Sequence, residues 1–211
     1  MENNFKDDAK ENNQDEFTKV DFKSGGQNLK MLFISFIKSP INTFKNVAKA
    51  KDTNIFNSSI IILLIWAVIV FIHSLFSYKY SGTYLILNII RDITIPILSV
   101  GFLALVIHFL NPNKDDKYSL TNAVTASILC KAPIILSSFI SLLNIITSKS
   151  YVITTPITYF CTCISIIFTF FAIKYLYKDS DDSKSFKSFV VVQAIYYVIY
   201  LFLSFLNVTL M

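Results

Sequence analysis

Residues 152–177 read VITTPITYFCTCISIIFTFFAIKYLY, and the reading of this stretch decides the fold. Its one charged residue is Lys174, close to its end. As an α-helix it would extend roughly 39 Å, more than the hydrocarbon core of a bilayer. Thr155, Thr158, Thr162, Ser165 and Thr169 follow one another at spacings of three, four, three and four, which places them on one helix face. In lipid, a stripe of small polar side chains on an apolar rod is normally turned toward another helix. The expected fold is therefore an all-α membrane bundle, with the hydroxyl stripe on its inside.

The rest of the composition agrees. The chain is 54% hydrophobic and 16% charged, with 20 phenylalanines, 11 tyrosines and four glycines, far from soluble globular usage. Its net charge of +5 conceals an asymmetry, because Met1 to Asn28 holds seven acids against four lysines. The remainder is strongly basic. Basic residues that flank apolar spans act on topology and on the anionic lipid surface, so the expected partner of this charge is the lipid bilayer and not nucleic acid. Cys130, Cys161 and Cys163 lie inside apolar stretches and read as small buried hydrophobes. No apolar segment precedes residue 55, so the first span is expected to serve as its own insertion signal.

Residues 1–28, rich in Asn, Lys, Asp and Glu, carry too little apolar surface to offset the entropy of ordering and read as a disordered cytoplasmic tail. Gly25-Gly26 would make a hinge before the next element, and the tail could alternatively dock a partner. Over residues 29–52, Leu29, Leu32, Phe33, Phe36, Pro40, Ile41, Phe44, Val47 and Ala48 recur at helical spacing, with Lys30, Lys38, Lys45, Lys49 and Lys51 mostly off that stripe. Ser39-Pro40 supplies an N-cap and a first helical residue, so two short helices are expected. They suit either the cytoplasmic lipid interface, through contact with anionic lipid, or an elbow packed on the bundle.

A five-span transmembrane domain is expected over residues 55–210, with spans Ile55 to Ser77, Ile93 to Leu110, Asn122 to Ile146, Val152 to Tyr177, and Phe189 to Leu210. In the second, Arg91-Asp92 interrupts the apolar pattern, so Tyr84 to Ile90 is expected at the interface, with Pro96 opening the crossing helix. With the N-terminus inside, ten lysines fall on the cytoplasmic side (Lys38, Lys45, Lys49, Lys51, Lys114, Lys117, Lys174, Lys178, Lys184 and Lys187), against Lys79, Arg91 and Lys149 outside. The positive-inside rule then puts the N-terminus in the cytoplasm and the C-terminus outside. Tyr78, Tyr80 and Tyr84 outside, and Tyr175 and Tyr177 inside, fit interfacial belts. The two cytoplasmic loops, Asp115-Asp116-Lys117-Tyr118-Ser119 and Asp181-Asp182-Ser183-Lys184-Ser185-Phe186, look alike. Either a parallel repeat of two-helix units or convergence of short polar turns would produce that.

Lys131 stands out, an amine well inside the third span and followed at once by Ala132-Pro133. Intramembrane charges are costly and mark functional sites. Ser127, Lys131, Ser138 and Ser141 share one helical face, so the lysine is expected to look into the bundle along a second hydroxyl stripe. That face and the Thr158, Thr162 and Ser165 part of the fourth span define a candidate intramembrane polar site, with the third span as the stripe's partner. The bland alternative is that Lys131 snorkels to the cytoplasmic interface. Arg91-Asp92 reads as an interfacial pair, and His73 and His108, placed in opposite leaflets, as interfacial residues sharing no metal. All three glutamates sit in the tail, so a proton relay, a carboxylate metal site or a glutamate hydrolase lacks its groups. The glycines form no phosphate-binding pattern. No enzyme activity, cofactor, metal or catalytic residue is expected.

Taken together, the polar tail, the helix opening Ser39-Pro40-Ile41-Asn42-Thr43-Phe44-Lys45, the five spans and the Ala132-Pro133 pair inside the third resemble the Yip family, the Ypt/Rab-interacting five-span membrane proteins, in its bacterial branch. The resemblance covers about residues 30 to 210 and implies a membrane-organising or trafficking-type adaptor. The Asp-Leu-x-Gly-Pro type motif of eukaryotic members is absent, with no Gly-Pro pair anywhere, so Rab binding is not implied. Lysine outnumbers arginine 18 to 1, as in an AT-rich coding sequence, and the expected location is the plasma membrane of a low-GC bacterium. Two functions follow: a non-enzymatic scaffold recruiting an unidentified protein partner at the cytoplasmic face, or a transporter, channel or permease-like subunit with a polar path near Lys131. Self-association as a homo-oligomer stays open under both.

Overall fold

The computed structural model describes residues 22–51, 54–77, 85–146, 154–178 and 181–209. The expectations for residues 1–21, for Tyr78, Lys79, Tyr80 and Tyr84, and for Lys149 lie outside these. Among the described residues all regular structure is helical, in the order α1 (Phe22–Lys38), α2 (Pro40–Lys49), α3 (Asn54–Ser77), α4 (Leu85–Leu110), α5 (Ser119–Cys130), α6 (Ala132–Ile146), α7 (Thr154–Leu176) and α8 (Asp182–Thr209). Four helices, α3, α4, α7 and α8, are long and apolar enough to cross a membrane singly. The α5–α6 pair passes the same test as one unit bent by 41°, giving up to five.

The break between α1 and α2 falls where the sequence puts it. Ser39 is the N-cap residue and Pro40 the first helical one, where its missing N–H costs no helical bond. The Thr43 hydroxyl donates to the Ser39 carbonyl at 3.1 Å and lies 3.1 Å from the Ser35 hydroxyl, tying the two helices across the elbow. α1 nevertheless begins at Phe22 and includes Gly25 and Gly26, where a hinge is expected. Glycine costs a helix about 1 kcal/mol but does not forbid it. α1 packs on α3, and α2 on α7 and α5.

Three rings make the elbow part of the core. Phe36, Phe44 and Phe168 meet edge-on, with centroid distances of 5.9, 5.2 and 5.9 Å, the arrangement that aromatic quadrupoles favour. Phe44 and Val47 are both only 1% exposed. Along with Leu32 they join a cluster that continues through Ile107, Ala123, Ala126, Ala172, Ile173 and Val192. At its centre lies α5, buried along nearly its whole length and packed against α2, α3, α4 and α7. Four of its buried residues, Ala123, Thr125, Ala126 and Ser127, are small, and small side chains let helix backbones approach closely where lipid supplies no hydrophobic drive. Trp66, Val100 and Ile128 form a second cluster between α3, α4 and α5.

Two polar belts close opposite ends of the bundle. At one, His108 Nδ1 lies 3.1 Å from the Ser119 hydroxyl, Asn122 donates to the Ala50 carbonyl at 3.2 Å, and Asn113 donates to the Tyr177 carbonyl at 3.2 Å. The Tyr177 hydroxyl donates to the Ile107 carbonyl at 3.0 Å, and Lys178 lies 4.0 Å from Asp116. The α4–α5 and α7–α8 loops are thus neighbours. They also share a turn chemistry: Asp116 accepts the Tyr118 N–H at 3.1 Å and Asp181 the Ser183 N–H at 2.9 Å, each through a side-chain oxygen, the local bond that makes Asp a turn former. At the other end, Ser74 on α3 donates to Asp92 on α4 at 2.8 Å, and His73 Nε2 lies 3.1 Å from the Ser141 hydroxyl on α6.

One boundary differs from expectation. α4 does not open at Pro96 but runs unbroken from Leu85, with Pro96 inside it. The charges that seemed to interrupt the pattern are accommodated within the fold. Arg91 Nε is 3.1 Å from Asp92 Oδ1, and the other carboxylate oxygen takes the Ser74 bond from a neighbouring helix.

Candidate functional site

Pro133 sets the local geometry of the polar site. Having no N–H, it cannot bond the Leu129 carbonyl, and its ring crowds the preceding turn. The third span breaks there. α5 ends at Cys130, Lys131 is its C-cap, and α6 restarts at Ala132. The Lys131 N–H reaches the Ser127 and Ile128 carbonyls at 3.3 and 3.0 Å, while its own carbonyl accepts the Ile135 N–H at 3.0 Å. The lysine therefore sits at the bend, where its side chain leaves both helices.

That side chain does not snorkel. Lys131 is 8% exposed, its Nζ donates to the Tyr196 hydroxyl at 3.0 Å, and it stands 4.6 Å from the Tyr196 ring centroid. Tyr196 belongs to α8, is itself 7% exposed and stacks on Tyr200. An ammonium over an aromatic face, also hydrogen-bonded to its hydroxyl, is held by quadrupole and dipole together. Beside the pair is a cavity of about 20 Å³, bordered by Ser165, Thr169, Gln193 and Tyr197 among others, which exceeds the roughly 10–15 Å³ one water requires.

The other predicted residues divide into three groups. Ser165 on α7 is buried and Thr162 half-buried, and both border the cavity with Lys131. Ser138 and Ser141 turn instead toward α3. Ser138 accepts the Trp66 indole N–H at 3.2 Å, and Ser141 meets His73. The bend at Lys131 is the reason, since it removes the common face that a continuous helix would have. Ser127 is fully buried, and its hydroxyl has no hydrogen-bond partner among the described residues. Thr158, with Thr155, is exposed.

The hydroxyl stripe of α7 is therefore only half internal. Thr158, Thr162 and Thr169 each donate to the carbonyl four residues back, at 2.9, 2.8 and 2.8 Å. A threonine satisfied by its own helix needs no partner helix, which is why Thr158 can face outward. The third span does pack on α7, through both α5 and α6, but not by a hydroxyl ladder. Tyr196 and Gln193 are the members that sequence reasoning missed. Their place beside Lys131 depends on how α8 packs, and α8 is apolar enough all round to show no face of its own.

At Arg91-Asp92 the geometry gives a direct expectation. Asp92→Ala removes the acceptor of Ser74 and the partner of Arg91, and is expected to cost about 2 kcal/mol, within the range for hydrogen bonds to charged groups. Asp92→Asn keeps an acceptor for Ser74 and should lose less. Thermal unfolding of the two variants in detergent makes the comparison, and equal losses would contradict the role given to the Ser74 contact.

The class defined by these features is an all-helical protein whose apolar helices suit a multi-pass membrane protein, with an intramembrane-type lysine packed on a tyrosine. Compared with known proteins, the chain matches no family model, no curated protein and no solved structure. Among the described residues, no three of His, Cys, Asp and Glu come together in a metal-binding group.

Proposed function

We propose that the chain is a non-enzymatic membrane scaffold of the Yip type, with five crossings, that gathers protein partners at the cytoplasmic face of a bacterial plasma membrane. The observation that carries this reading is the α1–α2 elbow. Its inner side is fastened to the core through Phe36, Phe44 and Phe168. Its outer side leaves Met31, Phe33, Ile34, Ile37 and Ile41 exposed, beside exposed Lys30, Lys38, Lys45 and Lys49. An apolar ridge edged with cations suits an anionic lipid interface, and a fastened elbow holds α1 against the bundle. A rigid platform with a tethered recruiting segment is what a scaffold requires.

Support for five crossings comes from the polar belts. Contact between the α4–α5 and α7–α8 loops favours their lying on one side; α7 is long and apolar enough to cross by itself, so the α5–α6 pair would then cross as well. The ten lysines named above favour the cytoplasm for that side.

A polar path for an anionic solute is the competing reading, and the 41° break at Lys131 favours it, because transporters bind substrates at interrupted helices. One pair of experiments separates the two. Photo-crosslinkers placed in residues 1–28 and in α2 should capture a discrete partner in native membranes, unchanged by Lys131→Met and lost on deleting residues 1–21. Reconstituted vesicles should pass anions no faster than empty ones. Flux above that background that falls with Lys131→Met would overturn the scaffold reading.

A further inference from the structure

Among the described residues, no carboxylate pairs with Lys131. The ion pairs among the described residues are Arg91–Asp92, Lys174–Asp182 and Lys178–Asp116, and none reaches the middle of the bundle. A lysine ammonium has three N–H donors, of which one is directed to the Tyr196 hydroxyl. A buried charge without a counter-charge is among the most expensive features a fold can carry.

The groups around the cavity share one character. Ser165 borders it with a hydroxyl that makes no hydrogen bond among the described residues, and Gln193 borders it with a carboxamide in the same condition. Thr162 and Thr169 have already committed their protons to α7 carbonyls. Among the described residues the charged group facing the cavity is a cation, the Lys131 ammonium from the α5–α6 bend, and the Ser165 hydroxyl from α7 and the Gln193 amide from α8 bring further donors alongside their acceptor oxygens. No acid is among the described residues that line it, so the ammonium repels a cation and attracts an anion. At about 20 Å³ it accepts a species close to water in size and is too small for a tetrahedral oxyanion.

We propose that this cavity binds a halide-sized monovalent anion, chloride under ordinary conditions, held between Lys131, Ser165 and Gln193. The ion supplies the counter-charge that the bundle lacks and ties the bent third span to α7 and α8. This inference goes beyond the scaffold reading and depends on neither function, because a resident ion requires neither a partner nor a passage.

The test uses the full-length protein in detergent, prepared in sodium gluconate. Unfolding is followed as gluconate is replaced by chloride or bromide at constant ionic strength. A ligand that binds only the folded state raises the unfolding midpoint with its concentration and saturates in effect only logarithmically. Chloride and bromide should both raise the midpoint, and sulfate at matched ionic strength should not. Gln193→Leu and Ser165→Ala leave the lysine and the fold in place and should each weaken the apparent halide affinity about tenfold to a hundredfold, as expected for one hydrogen bond to an ion. Lys131→Met should abolish the response. Equal stabilisation by gluconate, sulfate and chloride would overturn the site, as would a halide response undiminished in Gln193→Leu and Ser165→Ala.

Discussion

Phe44→Ala is expected to lower the folding free energy by about 3–5 kcal/mol, the range for truncating a fully buried aromatic. The ring is 1% exposed and touches Phe36 on α1 and Phe168 on α7, so its loss opens a cavity at the junction of three helices. The elbow should loosen before the bundle does. Limited proteolysis in detergent should therefore cut near Ser39 in the variant under conditions where the parent resists, while thermal unfolding records the global loss. Phe44→Leu keeps most of the volume and should recover over half of the deficit. A variant as protease-resistant as the parent would mean that the aromatic triangle does not fasten the elbow.

Trp66→Ala should be comparably damaging, at about 3–5 kcal/mol. Trp66 is 5% exposed, packs with Val100 and Ile128, and donates its indole N–H to Ser138 at 3.2 Å. It links the first span to the second half of the third. Trp66→Phe keeps an aromatic body and should retain part of that stability, losing the hydrogen bond, about 1 kcal/mol, and the packing of the second ring. Trp66 is the sole tryptophan of the chain, so its emission reports on this site directly. Ser138→Ala should leave the ring packed but alter the indole's polar contact, shifting the emission with little loss of stability. An unchanged spectrum in Ser138→Ala would contradict the assigned contact.

What was legible beforehand follows from how local its cause is. The first span was expected at Ile55 to Ser77 and α3 covers Asn54–Ser77, because an uninterrupted apolar run bounded by polar residues needs no knowledge of the rest of the fold. Ser39-Pro40 was legible for the same reason, as a proline without an N–H divides helices wherever it falls at such a position. Pro96 shows the limit. Nothing adjacent to Arg91-Asp92 indicates that Ser74, eighteen residues earlier, will bond the carboxylate and let the helix continue through it.

The polar site divides along the same line. Lys131 was conspicuous as an amine in an apolar span, but Asn122 to Ile146 was expected as one helix running through Pro133, where the structure breaks it. Treating Ser127, Lys131, Ser138 and Ser141 as one face assumed a straight helix, and the bend sends Ser138 and Ser141 to α3. Tyr196, sixty-five residues away, could not be found from periodicity, because α8 shows no distinct polar face. The stretch 152–177 identified the class of fold, yet the most enclosed helix is α5. Its small, hydroxyl-rich sequence reads as weakly hydrophobic in isolation, but in a bundle it is what close packing selects.

If the bent α5–α6 pair traverses the membrane, as proposed, the α4–α5 and α7–α8 loops lie on one side and the crossings number five. Single cysteines at the exposed positions Asp115, Ser183 and Ser77, in a background lacking Cys130, Cys161 and Cys163, test it through a membrane-impermeant thiol reagent on intact cells. With five crossings, Ser77→Cys is expected to react from outside, while Asp115→Cys and Ser183→Cys react only after the membrane is opened. Labelling of Ser183→Cys in intact cells, with Asp115→Cys protected, would contradict it.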